Sequence, residues 1–282
     1  DARKSRGLGD VYKRQDGSGF ATFNGADAVV TIPDDSSLSF TSGGFSLSLW
    51  VNMTQATNNE DTILFKVGEY YLNMTPTGMR VGIKDSDTNT NLVTYYEYAF
   101  NLDEWYHIAV SYDGGLDQEA TSLYINGYSI ATYSISSITS QMDDTAGILY
   151  IGAGGNSGNQ FHFDGKIQDV ALIGREITVE EVRELCQENN VISFSGYDDI
   201  VSHWNLYADG NDSVGSNNAT ATDNVVFTQS APIRVIGDLT YIGEDRMRHF
   251  VTKKSETPLH ITNIARSTKS GLEGLCETSQ SY

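Results

Sequence analysis

The chain has 282 residues, of which 39% are hydrophobic, and its 37 acidic against 18 basic residues give a formal charge of −19. An electrostatic field of this sign repels phosphate backbones and anionic lipid, so nucleic acid and membrane surfaces are poor partners. No apolar stretch approaches the roughly 18 residues of a membrane helix, so we predict no membrane insertion.

The first segment is basic on an otherwise acidic chain. Its residues 5–15, SRGLGDVYKRQ, back-translate to TCTCGTGGGCTCGGA followed by GATGTGTATAAGAGACAG, which together resemble a transposase adapter of short-read sequencing libraries. We therefore expect residues 1–15 to be an artefactual, adapter-derived tag, and the natural chain to begin at Asp16 as an internal fragment. Without the tag the formal charge becomes −22, because the tag carries five basic and two acidic residues.

Strand patterns dominate the next 160 or so residues of the sequence. Runs rich in Val, Ile, Tyr, Phe and Thr alternate with Gly, Asn and Asp clusters, which predicts an all-β, antiparallel two-sheet sandwich. The candidate strands are FATFNG, AVVTIP, FSLSLWVNM, DTILFKV, YYLNMT, MRVGIKD, NLVTYYEYAF, WYHIAVSYD, TSLYINGYSIATYSI, GILYIGAG and GKIQDVALIG. Within LYINGYSI, Asn126 and Gly127 predict a type I′ hairpin turn, which needs two positive φ angles.

One short helix follows the strands, in TVEEVRELCQ. Thr178 and Glu181 have the spacing of a capping box, while Val179, Val182 and Leu185 share one face. A single helix that closes a β domain marks a boundary near residue 188. Cys186 and Cys276 lie ninety residues apart, which excludes zinc-knuckle and CxxC motifs and leaves open whether the two cysteines pair.

The order of these motifs resembles the laminin G-like, concanavalin A-like lectin jelly roll over residues 19–187. The resemblance is carried by FNGADAVVTIPDDSSLSF, GGFSLSLWVN, WYHIAVSYDGG, LYINGYSIA, LYIGAGG and FDGKIQDVALIGREITVEEVREL. It implies one jelly-roll domain over 16–188 with a short C-terminal helix. Residues 189–282 are then a partial second β unit, truncated or poorly ordered at its end. The segment that starts at DIVSHWNLYADGNDS is similar to the opening of such a unit in appendage and tail-associated proteins of marine phages.

Catalytic motifs are missing from the sequence. Laminarinase-type hydrolases of this fold need Glu-x-Asp-x-x-Glu on one strand, and no Glu here is followed by Asp two residues later. The five histidines are scattered singly, and neither HExxH nor GxSxG occurs. We predict that the protein is not an enzyme.

Calcium is the inorganic partner that the resemblance implies. Related jelly rolls hold one structural Ca2+ where the first and last strands pair, which maps onto Asn24, Asp27 and Asp164. Both segments, FNGAD and FDGK, are also turn sequences, so plain turn carboxylates are an equal alternative. The GAGGNSGNQFHF loop lacks the Glu-Gln-Asp trio of a pentraxin double site.

Strand alternation predicts a binding face, because successive side chains point to opposite sides of a sheet. The residues that alternation sends outward, if their strands share one sheet, form an aromatic and polar surface suited to sugars: Trp50, Tyr71, Asn73, Tyr95, Glu97 and His107. A covering loop over these residues is the alternative.

The predicted function is a non-catalytic binding or adhesion module that recognises carbohydrate on a cell surface. The alternatives are a structural virion protein of a tail or neck appendage, which contacts neighbouring subunits, and an accessory domain of a polysaccharide-degrading enzyme. Each of these places the protein outside cells or on a virion surface.

Overall fold

The structure is a computed structural model in which two antiparallel sheets stack on each other. It describes residues 19–55, 60–85, 91–117, 119–134, 137–155, 158, 160–188, 191 and 194–229. Sheet A has the strand order β10 (Tyr128–Ile130), β9 (Thr121–Ile125), β8 (Trp105–Tyr112), β3 (Phe45–Met53), β13 (Asp164–Ile173), β1 (Phe20–Asn24) and β16 (Val226–Thr228), with β14 (Ile200–Trp204) also paired to β13. Sheet B has the order β11 (Thr132–Ser134), β7 (Asn91–Glu97), β6 (Gly78–Lys84), β5 (Tyr70–Thr75), β4 (Asp61–Lys66), β12 (Leu149–Ile151), β2 (Val29–Ile32) and β15 (Ala221–Asp223). The predicted jelly-roll sandwich is confirmed.

Period-two alternation fills the space between the sheets. On β3 the inward side chains of Phe45, Leu47, Leu49 and Val51 join the main hydrophobic core, as the alternation predicted. Sheet B contributes Leu72, Met74, Val81, Ile83 and Leu92 to the same core. Burial of these side chains is the main stabilising contribution to the sandwich.

The predicted hairpin and helix both form. Asn126 and Gly127 join β9 to β10 with φ angles of 51° and 81°, as a type I′ turn requires. The helix α1 (Val179–Glu188) begins with both hydrogen bonds of a capping box. The Thr178 amide donates to Glu181 Oε2 at 2.8 Å, and the Glu181 amide donates to Thr178 Oγ1 at 3.3 Å.

Helix α1 packs against the outer face of sheet A. Val182 and Leu185 of the helix form a buried cluster with Ala109, Ala171 and Ile173 of strands β8 and β13. Val191, Phe194 and Ile200 continue this cluster after the helix. Sheet A is therefore covered on both faces over part of its area, and all nine residues of β3 are buried.

Residues 194–229 return to the same sandwich instead of starting a second unit. Strand β14 pairs with the second half of β13, β16 pairs with β1, and β15 pairs with β2. Trp204 and Leu206 are fully buried in the main core, and the Trp204 indole donates to the backbone oxygen of Asn217 at 2.7 Å. The predicted boundary thus falls inside a compact unit that extends to Gln229, because these strands complete its sheets and its core.

The predicted tag at residues 1–15 and the chain from residue 230 onward lie outside the described residues. Among those described, no helix combines the length and apolar character needed to span a membrane.

Candidate functional site

The six residues predicted to share one surface are divided between the two sheets. Trp50 lies on β3 and His107 on β8, both in sheet A. The other four lie in sheet B, with Tyr71 and Asn73 on β5, and Tyr95 and Glu97 on β7. Because the outer faces of a sandwich point in opposite directions, the predicted single surface does not form.

Trp50 and His107 are directed away from the main core, as alternation predicted, but they are not accessible. Trp50 is 2% exposed and His107 is 1% exposed. Their rings pack edge to face with centroids 5.3 Å apart, and His107 Nε2 lies 2.9 Å from Ser48 Oγ. Burial lowers the pKa of His107 to about 3. The prediction that these two side chains contact a ligand in solvent is therefore wrong, because the outer face of sheet A is itself packed.

The outer face of sheet B carries a different arrangement, the aromatic–arginine ladder of Phe65, Tyr71, Arg80 and Tyr95. Strand register places Phe65 beside Tyr71 and Arg80 beside Tyr95. The rings of Phe65 and Tyr71 stack with centroids 6.3 Å apart. The Arg80 guanidinium lies 5.5 Å from the Tyr71 ring centroid and 5.2 Å from that of Tyr95, within cation–π range of both.

Gly82 explains why the Tyr71 ring can lie flat on the sheet. It stands opposite Tyr71 on β6, and a Cβ atom at Gly82 would be 2.0 Å from Tyr71 Cζ. Only the absence of a side chain leaves this space for the ring. Gly82 thus allows the Tyr71 ring to lie over strand β6.

Glu60 holds the charged part of the ladder in place. Arg80 Nη1 lies 2.5 Å from Glu60 Oε1 and 2.6 Å from Oε2, while Asn73 Nδ2 donates to Oε2 at 3.2 Å. Burial opposes the charge on Arg80, but the hydrogen bond to Glu60 and the neighbouring tyrosines outweigh it and raise the Arg80 pKa. Burial likewise raises the pKa of Tyr71, so its hydroxyl remains protonated at neutral pH.

The residues on the outer face of sheet B differ in accessibility from Trp50 and His107 on sheet A. Tyr71, Arg80 and Tyr95 are half-buried, Glu97 is exposed, and Asn73 is buried at 7% exposure. The face therefore presents partly accessible rings, a guanidinium and a free carboxylate to solvent.

Sequence reasoning missed Phe65, Arg80 and Glu60. Alternation in MRVGIK, with Met79, Val81 and Ile83 inward, does send Arg80 outward, so the position of Arg80 on this face was predictable from the sequence. The contact between Glu60 and Arg80 was not predictable from the sequence. It depends on the register of β4 against β5, which is interrupted between Thr62 and Leu64.

The three predicted calcium ligands do come together. Asn24 pairs with Asp164 where β1 meets β13, and Asn24 Nδ2 donates to Asp27 Oδ1 at 2.7 Å. Asn24 Oδ1 accepts the backbone N–H groups of residues 26, 27 and 28, at 3.0, 3.1 and 3.0 Å. These bonds give Asn24 a turn-forming role, which supports the turn alternative, and a calcium ion at this place stays a prediction.

A second acidic group could hold a metal ion. Asp34, Glu69 and Asp144 bring their carboxylate oxygens within 4.8 Å of one another, the one such group among the residues placed by the structure. The fully buried Lys66 already supplies a positive charge there: Nζ lies 3.2 Å from Glu69 Oε1 and also contacts Asp34 and the Gly147 carbonyl. Burial raises the pKa of Glu69 even with this lysine beside it.

Cys186 is not a reactive thiol, because burial raises its pKa to about 12. Its predicted candidate partner, Cys276, lies outside the described part of the chain.

A family model described as the concanavalin A-like lectin/glucanases superfamily matches residues 24–183. A candidate carbohydrate-binding protein from Bacteroides ovatus is similar in structure, with a TM-score of 0.56 and 19% identity over 77% of this chain and 61% of that one. A heptameric SAP-like pentraxin from Limulus polyphemus gives a TM-score of 0.52 and 15% identity over 77% of this chain and 97% of that one. No curated protein matches the sequence. At these identities the solved structures show a shared fold.

Proposed function

Because the chain belongs to the concanavalin A-like lectin/glucanases superfamily, we propose that it is a non-catalytic module that binds carbohydrate on the outer face of sheet B. The observation that carries this proposal is the Arg80 guanidinium between two tyrosine rings on a partly accessible face. A glycan on a cell surface is the ligand we propose, with the module outside cells or on a virion surface.

The ladder has the two kinds of group that sugars need. Aromatic rings and a guanidinium plane give flat surfaces against which the apolar face of a pyranose ring can stack. Glu97 is exposed and free to accept hydrogen bonds from sugar hydroxyls, and the Tyr95 hydroxyl can donate or accept. Binding sites of this kind combine apolar area with a few polar groups that fix orientation.

The contacts of Glu60 support a binding role over hydrolysis. Its two oxygens are both engaged by Arg80, and one of them also accepts from Asn73. A carboxylate held in this way is fixed by its hydrogen bonds within the protein, whereas the general acid of a glycosidase must reach the glycosidic oxygen. Glu60 therefore serves the ladder as an anchor.

A glycan array probed with the full chain, with and without a chelator, tests the proposal. We expect retention on a subset of glycans and a loss of about tenfold in affinity, or about 1.4 kcal/mol, for Tyr95→Ala. Tyr95→Phe keeps the ring and should retain most of the affinity. Tyr128→Ala is the matched control, because Tyr128 is 46% exposed but lies on β10 of sheet A. Retention of no glycan in either condition would refute the proposal.

A further inference from the structure

One row of side chains crosses the outer face of sheet A at the end of the strands away from α1. Asn52 on β3 stands directly opposite Trp105 on β8 and directly opposite Lys166 on β13. Directly paired residues project from the same side of a sheet. A sequence neighbour of each lies in the main core: Val51, Tyr106 and Ile167. Alternation therefore directs all three side chains away from that core.

Two aromatic rings meet above this row. Phe20 lies on β1 and Trp105 on β8, and because β3 and β13 lie between these strands, their backbones are three strand spacings or about 14 Å apart. The two ring centroids are only 5.9 Å apart, with planes tilted by 58°. Both side chains therefore lean towards each other over β3 and β13, and we call this pair the aromatic bridge. The bridge covers Asn52, which is 2% exposed, while Phe20 and Trp105 are themselves half-buried.

A polar side chain without a partner lies beneath the aromatic bridge. The Asn52 amide makes no hydrogen bond to any residue that the structure describes, and its Oδ1 atom is fully enclosed. Buried amides are almost always hydrogen-bonded, and an unpaired one destabilises the folded protein. Stability alone would favour Leu at this position, so the unpaired amide points to a ligand that supplies its partner.

A lysine beside the aromatic bridge lacks an acidic partner. Lys166 Nζ lies 5.8 Å from the Phe20 ring centroid, and no carboxylate in the described part of the chain is within ion-pair distance of it. Asn52 and Lys166 start from directly paired positions, whose Cβ atoms lie about 5 Å apart, so the amide and the ammonium can donate to one group. A carboxylate accepts hydrogen bonds from two such donors, and the bond from the ammonium is strengthened by charge.

We propose that the aromatic bridge closes a second carbohydrate site, which takes an acidic sugar such as a uronic acid. Lys166 and Asn52 bind the sugar carboxylate, and the apolar face of the pyranose ring stacks on Trp105. Because Asn52 is enclosed, the two rings of the bridge separate when the ligand enters, and the sugar takes the place of Phe20 against the indole. The site lies on the opposite outer face from the ladder, so it does not depend on the function proposed above.

Calorimetry with the full chain tests this site, with methyl glucuronide, methyl glucoside and acetate as ligands. We expect the glucuronide to bind at least tenfold more tightly than the glucoside, which offers no anion, and acetate to show no binding, because it lacks the ring. Lys166→Gln should reduce the glucuronide affinity at least fivefold. Lys84→Gln is the matched control, because Lys84 is also half-buried on a strand but lies on β6 of sheet B, and it should leave the glucuronide affinity within twofold of the wild type. Equal affinities for the glucuronide and either of the other two ligands would overturn the inference.

A second variant, Asn52→Leu, separates binding from stability. It replaces the unpaired amide by an apolar side chain of similar volume, so it should not lower the melting temperature but should reduce the glucuronide affinity at least threefold. Unchanged glucuronide affinity in this variant would overturn the inference. Loss of glucuronide binding in Tyr95→Ala but not in Lys166→Gln would place the acidic sugar on the ladder and would also overturn it. Unweakened glycan retention in Tyr95→Ala, with the preference for glucuronide intact, would refute only the function proposed for sheet B.

Discussion

The outer faces of the two sheets carry similar residue patterns but differ in how accessible they are to solvent. On sheet A, Ser46, Ser48 and Trp50 point away from the core and are all buried. On sheet B, Tyr71 and Tyr95 point away from the core and stay half-buried, and Glu97 is exposed. On sheet A, α1 and the segment around Phe194 pack over Ala109, Ala171 and Ile173, which are the strand neighbours of Ser48 and Ser46. Alternation thus predicts the direction in which a side chain points. Whether that side chain can contact a ligand depends on which other segments pack over it.

The largest expected effect comes from Trp50→Ala. Removing a fully buried indole leaves a cavity beside His107, so we expect the free energy of unfolding to fall by about 3–5 kcal/mol. Chemical denaturation measures this loss. The control is Trp105→Ala, which removes a partly buried indole at the start of β8 and should cost less. Equal losses in the two variants would contradict the view that the outer face of sheet A is a second core.

The next effect is the pH dependence that His107 adds on the same face. The folded pKa of about 3 lies below the ordinary value of 6.5, so between these values the unfolded chain binds a proton that the folded chain does not. The stabilising contribution is complete above pH 6.5 and is lost as the pH falls. At pH 5 it should have fallen by about 2 kcal/mol.

Denaturation midpoints of the wild type and of His107→Gln, measured from pH 7 to pH 5, test this expectation. The variant should be less stable than the wild type at pH 7, but its free energy of unfolding should change less with pH. The difference in slope should correspond to nearly one bound proton. Parallel profiles would mean that His107 takes up a proton in the folded protein.

The smallest of the three effects concerns sheet B. Gly82→Ala places a methyl group where the Tyr71 ring lies, so the ring must move away from Phe65 and Arg80. We expect a loss of about 1 kcal/mol in stability, as for other overpacked sites, together with weaker glycan binding. The double variant Tyr71→Ala/Gly82→Ala removes the clash, so it should lose no more stability than Tyr71→Ala alone. A further loss in the double variant would show that Gly82 matters for another reason.

Much of the local structure was predictable, because it depends on neighbours in sequence. The positive φ angles at Asn126 and Gly127 and the reciprocal hydrogen bonds between Thr178 and Glu181 involve residues at most three positions apart. The inward and outward assignment on β3 likewise needs only the alternation of one strand.

The candidate site was predictable only in part. Tyr71, Asn73, Tyr95 and Glu97 do share a face, and the alternation placed them outward. Their grouping with Trp50 and His107 failed, because sequence pattern does not state which of two sheets a strand joins. Glu60 and Phe65 enter the site through the register of β4, which no local signal specifies.

The sequence by itself determined the secondary structure, the two-sheet class and the direction of each strand's side chains, since these follow from steric preferences and burial along short stretches of chain. Only the tertiary structure decided that residues 194–229 complete the first sandwich, that α1 covers part of one outer face, and that Arg80 lies between two tyrosines. These outcomes depend on pairing between segments far apart in sequence. Such pairing depends on how much apolar area the complete fold buries and on how many backbone groups at strand edges find hydrogen-bond partners. Neither quantity can be obtained from a short stretch of sequence.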